Sequence, residues 1–552
     1  MRTVVVDGNI TFTGYDQVLG SELFKEILSE FIETLEKKND PTLKGVEFFK
    51  SDSSYDLDSI IDVLSLLMIR HLDSMKGRIW DSLRENVDYF VNFVEELYNF
   101  WRSKHRFMVR TRDFPSSKTL RVSEEFSLME NGERFETILR EAYRSVLRNT
   151  KSERLKVLRQ LPSGVQAMFL ASPHSKNLSV PVVWSVVLKP PVVFYTNSNK
   201  RKGVFPVRES DFAPDFSKEW LAFKVHVGKK IIAVIVEKDR LCHAAGISNL
   251  FELADPESEE DAYVVFGYPS EKLPEGDRNG VVYKTSRGYT GVVSDSPHTD
   301  YFGYMKKMIL TVHNLMVIDE GNLPVHGALA IIRINDDSFS VMMVGDSGAG
   351  KSETLEALRK IGAYVDVIID DMGSLEIEDG RVVAYGTEVG AFVRLDDLPP
   401  GYAYNTLDRS IFMNPDATNA RVIVPFGNFE KVISPTPLDL FLYANNYESS
   451  QEKIRVFKSP SEALKVFSEG KRMAKGTTQE VGLTSSYFAN PFGAVQRKEI
   501  HEKIAEKFVG RMFETGVIVG ELRTMLGVPG YERKGPEEAA RALVDFLSKL
   551  RK

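Results

Sequence analysis

An α/β protein with an α+β first half is what this sequence predicts, and three observations predict it. Apolar residues recur at helical spacing between about Asp16 and Phe107. Short apolar runs separated by Pro, Gly and Asn fill 163–293, and beyond Tyr301 strand-like and helix-like stretches alternate about a glycine-rich turn. At 552 residues the chain exceeds one ordinary core, so two domains are expected, divided as 1–320 and 321–552.

The opening MRTVVVDGNITF carries one early Arg and an apolar run broken by Asp7 and Gly8, which reads as a first strand and not as a signal peptide. In the helical stretch, Tyr89, Phe93, Leu97 and Trp101 fall at four-residue spacing along one face, which suits a packed core face before a surface that meets a partner. The β-rich stretch contains VPVVWSVVL, PVVFYT, KIIAVIV and DAYVVFGY. Between them, NKRKG at 199–203 and DPESEED at 255–261 read as solvated loops, although Lys200, Arg201 and Lys202 could also meet a substrate phosphate. A helix is expected from Pro536 to Leu550.

A net charge of −7 argues against a nucleic-acid partner, which needs a basic face. The single cysteine, Cys242, excludes an internal disulfide and suits a reducing cytoplasm. No run reaches the roughly 18 apolar residues of a membrane span. A cytoplasmic, soluble protein is therefore expected.

The sharpest signal is VMMVGDSGAGKSETLEALRKIG. Val341 to Val344 make an apolar strand, and Gly345, Asp346, Ser347, Gly348, Ala349 and Gly350 make a sharp turn. Lys351 and Ser352 then open a helix that faces Leu355, Leu358 and Ile361 inward. Glycines permit the backbone to approach a ligand closely, and successive N–H groups at a helix start can cradle the phosphates of a nucleotide such as ATP. Lys351 adds a point charge there, and the Ser352 hydroxyl can ligate Mg2+. Next, YVDVIIDDMGS gives a strand ending in Asp370 and Asp371, placed to hold a cation that bridges phosphate oxygens.

Around this loop, residues 301–552 resemble the phosphoenolpyruvate carboxykinases, particularly the ATP-type enzymes. YFGYMKKMILTVHNLMVIDEGNLPVHGALA is similar to the family segment preceding its nucleotide loop, with Tyr301, Lys306, Lys307 and His326 on the family's positions. TNARVIVPF resembles the segment carrying an arginine that stabilises the transferred phosphoryl group, here Arg421. KGTTQEVGLTSSYFANPFGA resembles the family's nucleotide-contacting loop, with Gln479 where the family has Arg and Ser485 at a neighbouring Thr position.

The resemblance implies a two-domain carboxykinase-like fold, and Mn2+ held by Lys307, His326 and Asp371. It implies Mg2+ served by Ser352 and Asp370, and charge neutralisation by Lys306, Lys351 and Arg421. The implied reaction decarboxylates oxaloacetate and phosphorylates the resulting enolate, under a lid within 420–480. The first 300 residues do not carry the family's pattern. Its substrate-gripping arginine has a faint echo in RTRDFPSSKTLRV, at Arg110 or Arg112.

GDSGAGKSE also resembles the loop of bacterial HPr kinase/phosphorylases, with VHGALA like their upstream segment. A kinase acting on a small metabolite or a protein serine, and a nucleotide sensor without turnover, therefore stand as alternatives.

Overall fold

The computed structural model describes residues 5–6, 19, 22–51, 54–67, 72, 75–111, 125–128, 156–159, 167–172, 178–188, 192–216, 220–286, 288–334, 337–395, 398, 410–425, 428–475 and 481–550. It is a mixed α/β protein with several mixed sheets.

Among the described residues, the helical expectation for Asp16 to Phe107 holds up to Lys104, after which His105–Thr111 is a strand. Helices Glu22–Lys38, Leu57–Leu67, Arg78–Glu85 and Val87–Lys104 enclose their own core, which includes Leu28, Phe31, Ile60, Phe93 and Leu97. Of the four-residue stripe, Phe93 and Leu97 are buried, but Tyr89 is 38% exposed and its neighbour Phe90 turns inward instead. A helix advances 100° per residue, so four-residue steps drift around the axis and the stripe leaves the core at its end. The Trp101 side chain lies outside the described residues.

Thirteen described strands form one large sheet, which includes Val5–Val6 paired with Phe126 and Ser127. Its middle runs Val182–Leu188, Trp220–Val227, Lys230–Glu237, Ala262–Tyr268 and Gly288–Ser294. Trp220–Val227 and Lys230–Glu237 are buried on both faces and read as continuous apolar runs, as central strands do. The helix Phe302–Asp319 packs on this sheet, its Met308 and Val312 approaching so closely that a Cβ at Gly291 would lie 2.6 Å from Met308.

From Leu323 onward the chain builds a second sheet of nine strands, in the order Thr436–Pro437, Arg381–Gly386, Met372–Glu378, Leu323–Ile334, Asp337–Val344, Leu440–Asn445, Ile518–Arg523 and Ile454–Val456, with Tyr364–Ile369 also paired to Leu323–Ile334. Period-two alternation assigns its faces. Leu329, Met342, Val344, Phe441 and Tyr443 meet the helices Pro460–Glu469 and Lys498–Glu514 on one side. Ala328, Ala330, Val341, Met343 and Leu442 meet Lys351–Lys360 and Lys534–Leu547 on the other. The second sheet is thus the middle layer of three.

A four-stranded sheet links the two halves of the sequence, because Val192–Phe194 pairs in parallel with Ile411–Met413. The acidic stretch is not wholly solvated as expected: Glu260 lies 2.8 Å from the buried Lys224 ammonium. That lysine points inward from a central strand and needs a carboxylate beside it.

Candidate functional site

Three chain segments converge because the backbone ladder knits them together. The strand Leu323–Ile334 has Asp337–Val344 on one side and both Tyr364–Ile369 and Met372–Glu378 on the other. At its start, Gly345 N–H donates to His326 O at 3.0 Å and Gly327 N–H donates to Asp371 O at 2.9 Å. The phosphate-type loop, the histidine and the carboxylate pair are therefore neighbours by sheet register alone. Gly327 is required at this crossing, since a Cβ there would stand 2.4 Å from Met343 O.

The loop has the expected strand–turn–helix form, with the strand ending at Val344 and the helix beginning at Lys351. Gly350 adopts φ 93°, and a Cβ there would strike Thr524 Oγ1 at 2.5 Å, so only glycine fits. Thr524 Oγ1 donates to Ala349 O at 2.7 Å and Asn446 Nδ2 donates to Gly348 O at 2.8 Å, fixing the turn from below. Lys351 Nζ donates to Gly345 O at 2.6 Å and Asp346 O at 3.2 Å. Ser352 is exposed in the first helical turn. Asp346 is gripped by Arg472, whose Nε lies 2.9 Å from Oδ2, and its Oδ1 accepts the Ser347 N–H at 2.7 Å.

The helix Phe302–Asp319 supplies the two lysines. It is almost wholly buried, and ammonium groups in its first two turns sit at the unfavourable, positive end of the helix dipole. Two local rules are broken together there, as happens at functional sites. Asp371 explains the placement. Its Oδ2 lies 2.8 Å from Lys306 Nζ and 2.5 Å from Lys307 Nζ, and its Oδ1 lies 2.9 Å from His326 Nε2. Lys306 Nζ also lies 2.8 Å from Glu388 Oε1.

The two adjacent carboxylates are driven apart electrostatically. Burial pushes Asp371 up, but Lys306, Lys307 and His326 outweigh it and hold that carboxyl well below the usual range. Asp370 is raised by burial and by the neighbouring Asp371 charge. Burial works against the charge on Lys306, yet Asp371 and Glu388 hold its ammonium above the ordinary lysine range. Lys307 is lowered, by burial first and also by Lys306. Burial likewise pushes Glu388 up to about 7.

Tyr301 and Arg421 join this group around the ring of Phe392. Tyr301 lies 5.9 Å from that ring, Lys306 Nζ 5.9 Å and the Arg421 guanidinium 5.3 Å. Arg421 Nε donates to Asn419 Oδ1 at 3.0 Å. A second ring, Phe492 of the NPFGA segment, carries Lys307 Nζ at 4.9 Å and the Arg201 guanidinium at 4.7 Å.

Arg201 is the arginine that the first half of the chain brings here. Burial lowers its pKa to about 10, opposed by Tyr304, Asp346 and Tyr301, and its Nη1 donates to Gly203 O in its own turn. The reading of 199–203 as a solvated loop holds at Lys202 and Gly203, which are exposed, and only in part at Arg201, which is half-buried against two aromatic rings. Arg110 lies on His105–Thr111 opposite Val186, and Arg112 and Gln479 lie outside the described residues. Ser485 is exposed where Val481–Ser485 pairs with Lys471. Glu388, Arg472 and Phe392 are members of the cluster to which no motif in the sequence assigned a role.

Among the described residues no group of three His, Cys, Asp or Glu side chains is arranged to hold a metal ion. The expected set differs in kind, since it has two such donors, His326 and Asp371, and a lysine as the third. Its chemistry suits a divalent cation. His326 Nδ1 lies 2.7 Å from Ala489 O, which leaves Nε2 as the nitrogen turned to Asp371. Lys307 is biased by burial toward the neutral amine that a ligand must be. Among the described residues, no helix is long and apolar enough to cross a membrane. Compared with models of known protein families and with curated proteins, the chain matches none.

Proposed function

We propose that the chain is a metal-dependent phosphoryl-transfer enzyme of the phosphoenolpyruvate carboxykinase type, with the two-domain architecture of that family. The observation that carries the reading is the convergence of Lys306, Lys307 and His326 on one Asp371 carboxylate, one hydrogen bond away from the Gly345–Ser352 loop. A site that only bound a nucleotide would gain nothing from burying two ammonium groups there.

In this reading the loop N–H groups and Lys351 hold the β and γ phosphates of ATP, with Ser352 and Asp370 serving its Mg2+. Lys307, His326 and Asp371 would hold a Mn2+ ion, which would supply Lewis acidity and positive charge there. Arg201 and Tyr301 orient the organic acid, the arginine pairing with a carboxylate from a face made rigid by Phe205 and Phe492. Oxaloacetate then loses carbon dioxide as its C–C bond breaks, leaving the electron pair as an enolate. The enolate oxygen attacks the γ-phosphorus in line, and the bond to the β-phosphate oxygen breaks to release the nucleoside diphosphate. Lys306, Lys351 and Arg421 offset the charge on the phosphoryl group in flight. A kinase on this scaffold would use the same loop. The half-buried Arg201, seated against Phe205 and Phe492, favours an anionic acceptor over a neutral hydroxyl compound.

The test is formation of phosphoenolpyruvate from oxaloacetate and ATP with MnCl2. The unmodified protein should make it and Lys307→Ala should not. No phosphoenolpyruvate from the unmodified protein with ATP, GTP or pyrophosphate would refute the carboxykinase assignment.

A further inference from the structure

Glu388 stands between the strands Arg381–Gly386 and Gly390–Arg394, with its side chain 2% exposed. Its backbone surroundings are fixed on both sides. Thr387 Oγ1 donates to Met372 O at 2.8 Å, Val389 N–H donates to Leu250 O at 2.9 Å, and a Cβ at Gly390 would stand 2.2 Å from Asn249 O. The backbone that carries the carboxylate is thus held in place.

Its one ion-pair partner among the described residues is Lys306, and its Oε2 has no hydrogen-bond donor among them. Burying a carboxylate costs several kcal/mol, and a merely structural one would be saturated with donors. Lys306 already has Asp371 at the same 2.8 Å distance, so a single ion pair does not require Glu388.

The second carboxylate becomes necessary when Asp371 has another duty. Asp371 is also in contact with Lys307 and His326, and a cation shared by those three would draw on the charge that now holds Lys306. Lys306 would then face a divalent ion, Lys351 and Arg421 with no counter-charge of its own. We infer that Glu388 is the positioning residue for Lys306: it anchors the ammonium when Asp371 turns to a divalent cation, keeping Lys306 aimed at the transferred phosphoryl group. This rests on the phosphoryl-transfer reading and adds a residue to it.

The experiment compares the unmodified protein with Glu388→Gln, each crystallised with MnCl2. In the unmodified protein Lys306 Nζ should stay at hydrogen-bond distance from Glu388, and in Glu388→Gln it should leave that place. An unmoved Lys306 in Glu388→Gln overturns the inference whether or not the protein makes phosphoenolpyruvate. In the kinetic arm, kcat should fall by about tenfold to hundredfold, as for other residues that support a metal site, with the KM for ATP unchanged. The same substitution in a Lys306→Ala background should have no further effect, because Glu388 acts through Lys306. Additive losses would mean a general structural role and overturn it too. If Glu388→Gln does not fold, Glu388→Asp carries both arms. The shortened carboxylate should displace Lys306 in the crystal and lower kcat only where Lys306 is present, and full kcat with Lys306 unmoved would overturn the inference. An unmodified protein with no phosphoryl transfer would count against the enzyme assignment, and the crystal comparison would still decide the role of Glu388.

Discussion

Replacing Asp371 with asparagine should destabilise the protein strongly, even though it sits in a site and not in a hydrophobic core. The carboxylate is four-fifths buried and touches Lys306, Lys307 and His326 at 2.8, 2.5 and 2.9 Å. At an effective dielectric of about 20, one ammonium at 2.8 Å gains roughly 6 kcal/mol of attraction before desolvation is subtracted. Removing one partner of a buried pair typically leaves a net loss of about 3–5 kcal/mol. Asparagine keeps a carbonyl acceptor, and Glu388 still serves Lys306, so the low end applies, about 3 kcal/mol. Lys307 is the group left uncompensated. Asp371→Asn/Lys307→Met should therefore recover at least about 1 kcal/mol relative to Asp371→Asn alone. The assay is urea unfolding followed by far-UV circular dichroism, because Trp80, Trp101, Trp184 and Trp220 all lie outside this half of the chain. A loss below about 1 kcal/mol, or no recovery in the double variant, would refute the picture of Lys306, Lys307 and His326 held together by one carboxylate.

Other consequences follow from particular contacts. Gly350→Ala places a methyl 2.5 Å from Thr524 Oγ1 at φ 93°, so calorimetric affinity for Mg·ATP should fall at least about tenfold, and unchanged affinity would mean the loop does not hold phosphates. Arg201→Ala should raise the KM for the organic acid by roughly tenfold to hundredfold, the worth of a charged hydrogen bond, and leave that for ATP within about twofold. Equal effects on both substrates would place Arg201 elsewhere. Burial lowers His313 and His501 to about 4 each, so between pH 6.5 and 4 the unfolded chain binds more protons than the folded one and stability rises with pH. Acidifying from pH 7 to 4 should cost about 3 kcal/mol for each histidine, and His313→Asn should flatten that part of the urea-midpoint curve. An unchanged slope in His313→Asn would rule it out as a source.

In the second sheet the strand before the glycine turn and the strand before Asp370 were legible because their signals are local. An apolar strand, a glycine turn and a helix start occupy one short stretch, and the carboxylate pair ends the next strand. Sheet register sets His326 beside the carboxylate pair, and the helix that carries Lys306 and Lys307 runs directly into that strand. What could not be read was set by contacts across the sequence. Arg201 reaches Phe492 from a basic turn that looks solvated in isolation. Glu388 lies in TEVGA with no spacing that relates it to Lys306, and only the folded chain joins them. Arg472 likewise reaches Asp346 across 126 residues. In the first half, strands buried on both faces lose the alternation that distinguishes their sides, so sequence reveals sheet without order.

The most direct test of the central claim is a crystal structure of the unmodified protein with MnCl2 and ATP. The account predicts phosphate oxygens on the N–H groups of Gly345 to Ser352, and a manganese ion bound by Lys307 Nζ, His326 Nε2 and the Asp371 carboxylate. Nucleotide bound away from that loop, or manganese held by other residues while Lys307 stays paired with Asp371, would contradict it.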